Sequence, residues 1–169
     1  MTDRASGILA DHHIHGLFAA RALKAALPLD PDQVQPASLD LRLGAKAYRV
    51  RASFMPGPEK SVMDKLDQLK LHEFDLTEGA VLETGCVYVV PLLESLALPA
   101  ELAASANPKS STGRLDIFTR IIADRAQEFD KIAAGYHGPL YIEISPRTFP
   151  IVVRQGSRLS QIRFRKGRA

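Results

Sequence analysis

Cysteine occurs once in the 169 residues, at Cys86, and tryptophan not at all. A disulfide framework is therefore excluded, and a structural zinc site, which usually takes at least two thiolates, has no pair to use. Zinc-dependent nucleobase deaminases need a Pro-Cys-x-x-Cys pair beside a further ligand, so they are excluded too. The sole histidine cluster, Asp11-His12-His13-Ile14-His15, would put His12 and His15 on one helix face. No second group of ligands accompanies it, and no metal site is expected. Cys86 lies in a Val/Tyr-rich run and reads as a small buried hydrophobe. Long apolar runs are also missing: the stretch Thr84–Leu93 falls far short of the roughly 20 residues that cross a bilayer, and Pro91 interrupts it. Met1–Gly7 contains no apolar signal core, which with the single cysteine predicts a cytoplasmic protein without membrane association.

Acidic residues are absent after Glu143, whereas Arg147, Arg154, Arg158, Arg163, Arg165, Lys166 and Arg168 all follow it. The net charge of +3 thus hides an acidic body and a basic end. Such an end invites a polyanion. Interleaved stacking aromatics are sparse there, only Phe149 and Phe164, so nucleic acid is not the expected partner and a nucleotide triphosphate fits better. With 46% hydrophobic and 24% charged residues the chain can bury a core, and residues 1–169 are read as one domain.

Ile14, Leu17, Phe18, Ala22 and Leu27 recur near a 3.6-residue period and predict an N-terminal helix over 14–27, ended by Pro28 and Pro31. Beyond it, glycine and proline punctuate the chain densely, and the runs between are short and β-like. Ser38–Leu43 alternates strictly, Tyr48–Arg51 does so briefly, Val87–Val90 is continuously apolar, and Leu140–Ile144 mixes both patterns. Many short strands predict a mainly β sandwich, jelly roll or barrel. Val62–Leu71 is read as a loop containing a turn of helix, and Arg114–Ala134 satisfies strand and helix spacing equally.

Two features carry chemistry. Asn107–Arg114 offers three successive hydroxyls, a lysine, an arginine and a glycine, a composition suited to gripping an anion, although it lacks the order of a P-loop. Glu143 is flanked by Ile142 and Ile144, so in a strand it points away from both, either to solvent or into a cleft where it could move protons.

Gln35–Gly44, Lys109–Leu115, Gly135–Glu143 and Gly156–Ile162 resemble, in this order, the motifs of the 2′-deoxycytidine 5′-triphosphate (dCTP) deaminase family. The resemblance implies a dUTPase-like distorted jelly-roll barrel with an N-terminal helix. It implies hydrolytic deamination of dCTP to dUTP and ammonia without zinc, Mg²⁺ arriving on the triphosphate, and a homotrimer with shared sites. By that likeness Glu143 activates the water, Ser110 positions it with the backbone carbonyl of Ala123, and Arg114 steadies charge and orients Glu143. Lys109, Ser111 and Arg125 hold the nucleotide. Related readings are a dUTP pyrophosphatase, a bifunctional deaminase and pyrophosphatase, or a non-catalytic nucleotide-binding module. Two departures stand out: Ala133 takes the place of a sugar-contacting aspartate, with Asp130 as a substitute, and no C-terminal closing segment follows Ala169. The wording is closest to the long form of the family, which resembles two tandem copies, this chain matching the first.

Overall fold

The chain runs β1 (Gly7–Ile8), α1 (Asp11–Ala19), β2 (Leu23–Ala25), β3 (Val34–Gln35), β4 (Ser38–Leu41), β5 (Lys46–Val50), α2 (Val62–Leu69), β6 (Lys70–Asp75), β7 (Ala80–Leu82), β8 (Val87–Ala97), β9 (Leu102–Pro108), α3 (Ser110–Arg114), β10 (Ile117–Ala123), β11 (Lys131–Ile132), β12 (His137–Pro146), β13 (Ile151–Val153) and β14 (Ser160–Lys166). This computed structural model describes residues 7–167. Residues 1–6, on which the expected lack of a signal core rests, and Arg168 of the basic run lie outside them. Among the described residues no helix is long and apolar enough to cross a membrane.

Two antiparallel sheets share the core. One has the order β11-β9-β14-β4-β3 with β1 added on β14, the other β10-β12-β8-β5-β6 with β2 added on β8, and β7 pairs with β13 separately. Leu39, Leu41, Ile162 and Phe164 of the first sheet pack against Tyr88, Val90, Ile142 and Ile144 of the second. The mainly β expectation holds, but the sheets are open rather than closed into a barrel. Edge strand β6 shows why: Lys70, His72, Glu73 and Asp75 make it polar and exposed, which ends the sheet in water.

The N-terminal helix is shorter than its periodicity predicts. After Ala19 the Ala22 amide donates to Leu17 O and the Arg21 amide to Phe18 O, with Arg21 at φ 59°, a closing motif in which an arginine takes the left-handed position usual for glycine. Leu23–Ala25 then pairs with Leu96–Glu94 of β8, and this ladder overrides the helical spacing of Ala22 and Leu27. Residues 62–69 form a full helix instead of a loop, because Ser61 caps it: its hydroxyl accepts from the Asp64 amide while Asp64 accepts from the Ser61 amide. The ambiguous stretch resolves into α3, β10 and β11, with ladder pairing to β12 deciding for strand.

Val62 and Leu66 of α2 cover the outer face of the second sheet, forming a small second core with Tyr48, Val50, Val89, Ile122 and Tyr141. The segment 51–61 crosses the same face as a strap. Between the sheets, the Gly44 amide donates to Pro91 O at 2.8 Å, and a Cβ on Gly44 would lie 2.5 Å from that oxygen. Both partners are backbone, so Gly44→Ala is expected to cost about 1–3 kcal/mol. The midpoint of urea unfolding measures it, and an unchanged midpoint would show that the crossing relaxes freely.

Candidate active site

Strand β12 is an interior strand of the second sheet, paired on both sides, with β10 and β8, and Glu143 on it does not face solvent. Ile142 and Ile144 enter the main core, and Glu143 projects to the opposite face with Tyr141, as strand alternation requires. Its side chain is only 2% exposed, and both oxygens are engaged. Oε1 accepts from Ser53 Oγ of the strap at 2.5 Å, and Oε2 accepts from Arg120 Nε at 3.1 Å and forms an ion pair with Nη2, 3.0 Å away. Arg120 is the direct cross-strand neighbour of Glu143. Its guanidinium lies 3.7 Å over the Phe129 ring and 4.8 Å from the Phe118 ring, which fixes its plane.

The hydroxyl-rich turn is built elsewhere. The Lys109 amide and the Thr112 hydroxyl both donate to Leu159 O, at 3.0 and 2.7 Å, seating α3 on the segment before β14. This leaves Ser110 and Ser111 exposed. Lys109 Nζ is bonded to Oδ2 of Asp40, which is 1% exposed and also receives Arg158 Nη1 at 3.4 Å. Arg158 Nη2 reaches both oxygens of Asp32 as well, at 3.0 and 3.1 Å, and this partner holds the exposed Asp32 carboxyl below its usual range. A lysine held by one oxygen of a buried carboxylate is aimed while its other donors stay free for an anion.

Ala123 and Arg125 line a third region, a cavity of about 880 Å³ shared with Ala133, Lys131, Tyr136 and Arg165. Its corner is held tightly. The Asp124 amide donates to Tyr136 Oη at 3.0 Å, Tyr136 Oη donates to Pro139 O at 2.6 Å, and burial pushes this phenol up to about 12. Arg125 sits at φ 58°, a left-handed conformation for a non-glycine residue, with its amide donating to Lys60 O of the strap at 2.9 Å. Strain of this kind persists only where the surroundings over-determine it. Asp130, at φ 61°, accepts from the Ile121 amide at 2.8 Å, and burial raises its carboxyl. Its carboxylate is thus engaged with β10, away from the residues lining the cavity, and the position beside Arg125 is left to Ala133.

The strap ties two of these regions together. It reaches Glu143 through Ser53 and Arg125 through Lys60, and the first residue of the following α2, Val62, donates its amide to Asp124 Oδ1 at 2.9 Å. The Lys109–Arg114 turn is not brought to Glu143 within one chain. Arg114 ends α3 exposed, with no ion-pair partner among the described residues, so the orientation of Glu143 expected from Arg114 falls within the chain to Arg120. Ser53 and Arg120 are residues that sequence reasoning missed, while Asp40 and Tyr136 lie inside the Gln35–Gly44 and Gly135–Glu143 motifs without a role assigned to them. Arg120 also had a signal, since pairing β10 with β12 in register would have set it opposite Glu143.

The profile of the 2′-deoxycytidine 5′-triphosphate deaminase N-terminal domain matches residues 5–168. A dCTP deaminase of Haloarcula marismortui is 32% identical over 139 residues, covering 80% of this chain and 68% of that protein. A dUMP-forming dCTP deaminase of Acidothermus cellulolyticus is 31% identical over 136 residues, with the same coverages. Among solved structures, the dCTP deaminase of Agrobacterium tumefaciens superposes with a TM-score of 0.96 at 75% identity over 98% of this chain. This chain spans 50% of the length of that one. An EIAV dUTPase shares the fold at a TM-score of 0.52 and 11% identity, covering 88% of this chain and 89% of its own. The chain belongs to the 2′-deoxycytidine 5′-triphosphate deaminase family, whose N-terminal domain it matches almost from end to end.

Proposed function

We propose that the protein hydrolyses dCTP to dUTP and ammonia, with Glu143 as the base. The observation that carries this reading is a buried carboxylate held on both oxygens on an interior strand of a domain that belongs to the dCTP deaminase family. Water attacks C4 of the cytosine as Glu143 takes its first proton and passes it to N3; Glu143 then takes the proton of the C4 hydroxyl and passes it to the amine, which leaves as ammonia as the C4 carbonyl forms. One water enters and one ammonia leaves, so atoms balance without an added oxidant or reductant. Ser110 and the Ala123 carbonyl position water and base, Arg114 faces the developing charge, and Lys109, Ser111 and Arg125 hold the nucleotide. Magnesium enters as part of the substrate, on triphosphate oxygens.

The separation of the Lys109–Arg114 turn from Glu143 supports a site shared between copies, in a homotrimer. The lone cysteine, free and half-buried, supports a cytoplasmic setting. The assay that tests the activity incubates the chain with dCTP and Mg²⁺ and follows ammonia and nucleotide products together. Ammonia in equal amount to dUTP is expected, and absence of ammonia would refute the reading. The name of the Acidothermus relative favours one second reading, a bifunctional enzyme. That reading predicts dUMP and pyrophosphate in place of dUTP in the same assay.

A further inference from the structure

Arg120 lies opposite Glu143 in the β10–β12 ladder, and its side chain is 28% exposed while that of Glu143 is 2% exposed. An ion pair in which one carboxylate is fully withdrawn from water is a poor stabiliser, because an apolar pair of similar volume does as well or better. Its geometry has a different use. Arg120 Nε donates to Oε2 with Nη2 at ion-pair distance from the same oxygen, and the guanidinium is clamped on Phe129, so Oε2 is anchored and Oε1 is left for a proton-bearing partner. That partner is Ser53 Oγ, which donates to Oε1 at 2.5 Å and accepts from Arg120 Nη2 at 2.5 Å. An oxygen that donates to the carboxylate while accepting from the arginine is placed as a nucleophilic water must be, with its proton aimed at the base.

We infer that Arg120 is the positioning residue of the reaction: it fixes Oε2 of Glu143, leaves Oε1 as the proton acceptor, and holds the water oxygen in the position marked by Ser53 Oγ. This rests on the deaminase reading above. Loss of an aligned contact of this kind lowers turnover without changing what binds the triphosphate, which is gripped by other residues.

The test compares the wild-type chain with Arg120→Ala and Arg120→Lys by kcat, by KM for dCTP and by thermal midpoint, with and without added guanidinium ion at millimolar concentration. Arg120→Ala is expected to lower kcat roughly 10- to 100-fold with KM within about twofold, and guanidinium, but not equal sodium chloride, is expected to restore part of it. Arg120→Lys, which retains a charge but loses the two-donor fork, is expected to fall between them. A second readout needs no turnover: the Arg120 Nε–H resonance of the ¹⁵N-labelled chain is expected to be slow to exchange and to lose that protection in Glu143→Ala, which removes the acceptor. Wild-type kcat in Arg120→Ala, or a loss carried by KM alone, would overturn the inference while leaving the deaminase reading intact. An inactive wild type would instead remove the deaminase reading, and an unprotected Nε–H would then remove the arginine–carboxylate geometry as well.

Discussion

Glu143→Gln is expected to reduce ammonia release from dCTP by roughly 10²- to 10⁴-fold, the range that a positioned acid–base group contributes. Glutamine keeps the volume, and its single carbonyl oxygen can still accept from Arg120 while its amide donates to Ser53 Oγ, so the second sheet should retain its thermal midpoint. What it loses is the ability to take a proton from water and return one to the amine. Arg120, freed from a counter-ion, would also offer an uncompensated charge to the site, which adds to the loss in kcat rather than replacing it. Equal turnover by the variant and the wild type would remove Glu143 from the mechanism. The same variant probes the assembly. Because Lys109 and Thr112 are fixed to Leu159 while Glu143 is fixed to Ser53 and Arg120, mixing Glu143→Gln chains with Ser110→Ala chains is expected to regenerate some sites in which both groups are intact. Failure of every mixture, with each variant still assembled by light scattering, would place the whole site within one chain.

The second large effect concerns stability. Arg42, only 3% exposed, donates through its backbone amide to Glu94 Oε1 at 2.5 Å and through Nε to Oε2 at 3.3 Å. Its two terminal nitrogens reach Pro28 O at 2.7 Å and Leu27 O at 2.9 Å. Glu94 is wholly inaccessible, and burial pushes its carboxyl up from 4.5 to about 7 although the Arg42 amide and guanidinium pull it down. Removing the arginine strands a buried carboxylate, so Arg42→Met is expected to cost about 3–5 kcal/mol at pH 8. The folded carboxyl binds its proton more tightly than the unfolded one. Folding therefore takes up a proton between about pH 4.5 and 7, and stability from this group declines as pH rises through that window. The penalty of Arg42→Met, measured against wild type at the same pH by urea unfolding, should be smaller at pH 5 than at pH 8. Arg42→Met combined with Glu94→Leu should recover most of it. An equal penalty at both values, or a double variant no better than the single one, would show that Glu94 is not the cause.

Local rules explain what the sequence made legible. Strand runs at Tyr48–Arg51, Val87–Val90 and Leu140–Ile144 lie within β5, β8 and β12 or overrun an end by one residue, because alternation and β-branched content are properties of neighbours in the chain. The orientation of Glu143 followed from the same rule. The helix over 14–27 failed at Arg21, where ladder formation with a strand some seventy residues away outweighed periodicity. The capping pair of Ser61 and Asp64 was visible and would have lengthened α2 at once. Asp40, by contrast, sits among alternating residues that give no hint of burial, since its partners Lys109 and Arg158 come from distant segments. Ser53 lies on a strap with no periodicity at all. Contacts between remote segments are what a site is made of, and local pattern carries little of them.

Strand β14 pairs with β1, β4 and β9, whose residues are drawn from 7–8, 39–41 and 102–108. The first sheet therefore has no middle until residues 160–166 exist. During synthesis, at roughly 5–20 residues per second, β4 and β9 would wait on the order of seconds with one edge unpaired, while the second sheet already has all its strands by Pro146. The folding rate is then set by a late, long-range search by one segment, and the interval before that search succeeds is when the nascent chain is most open to pairing with another copy of itself.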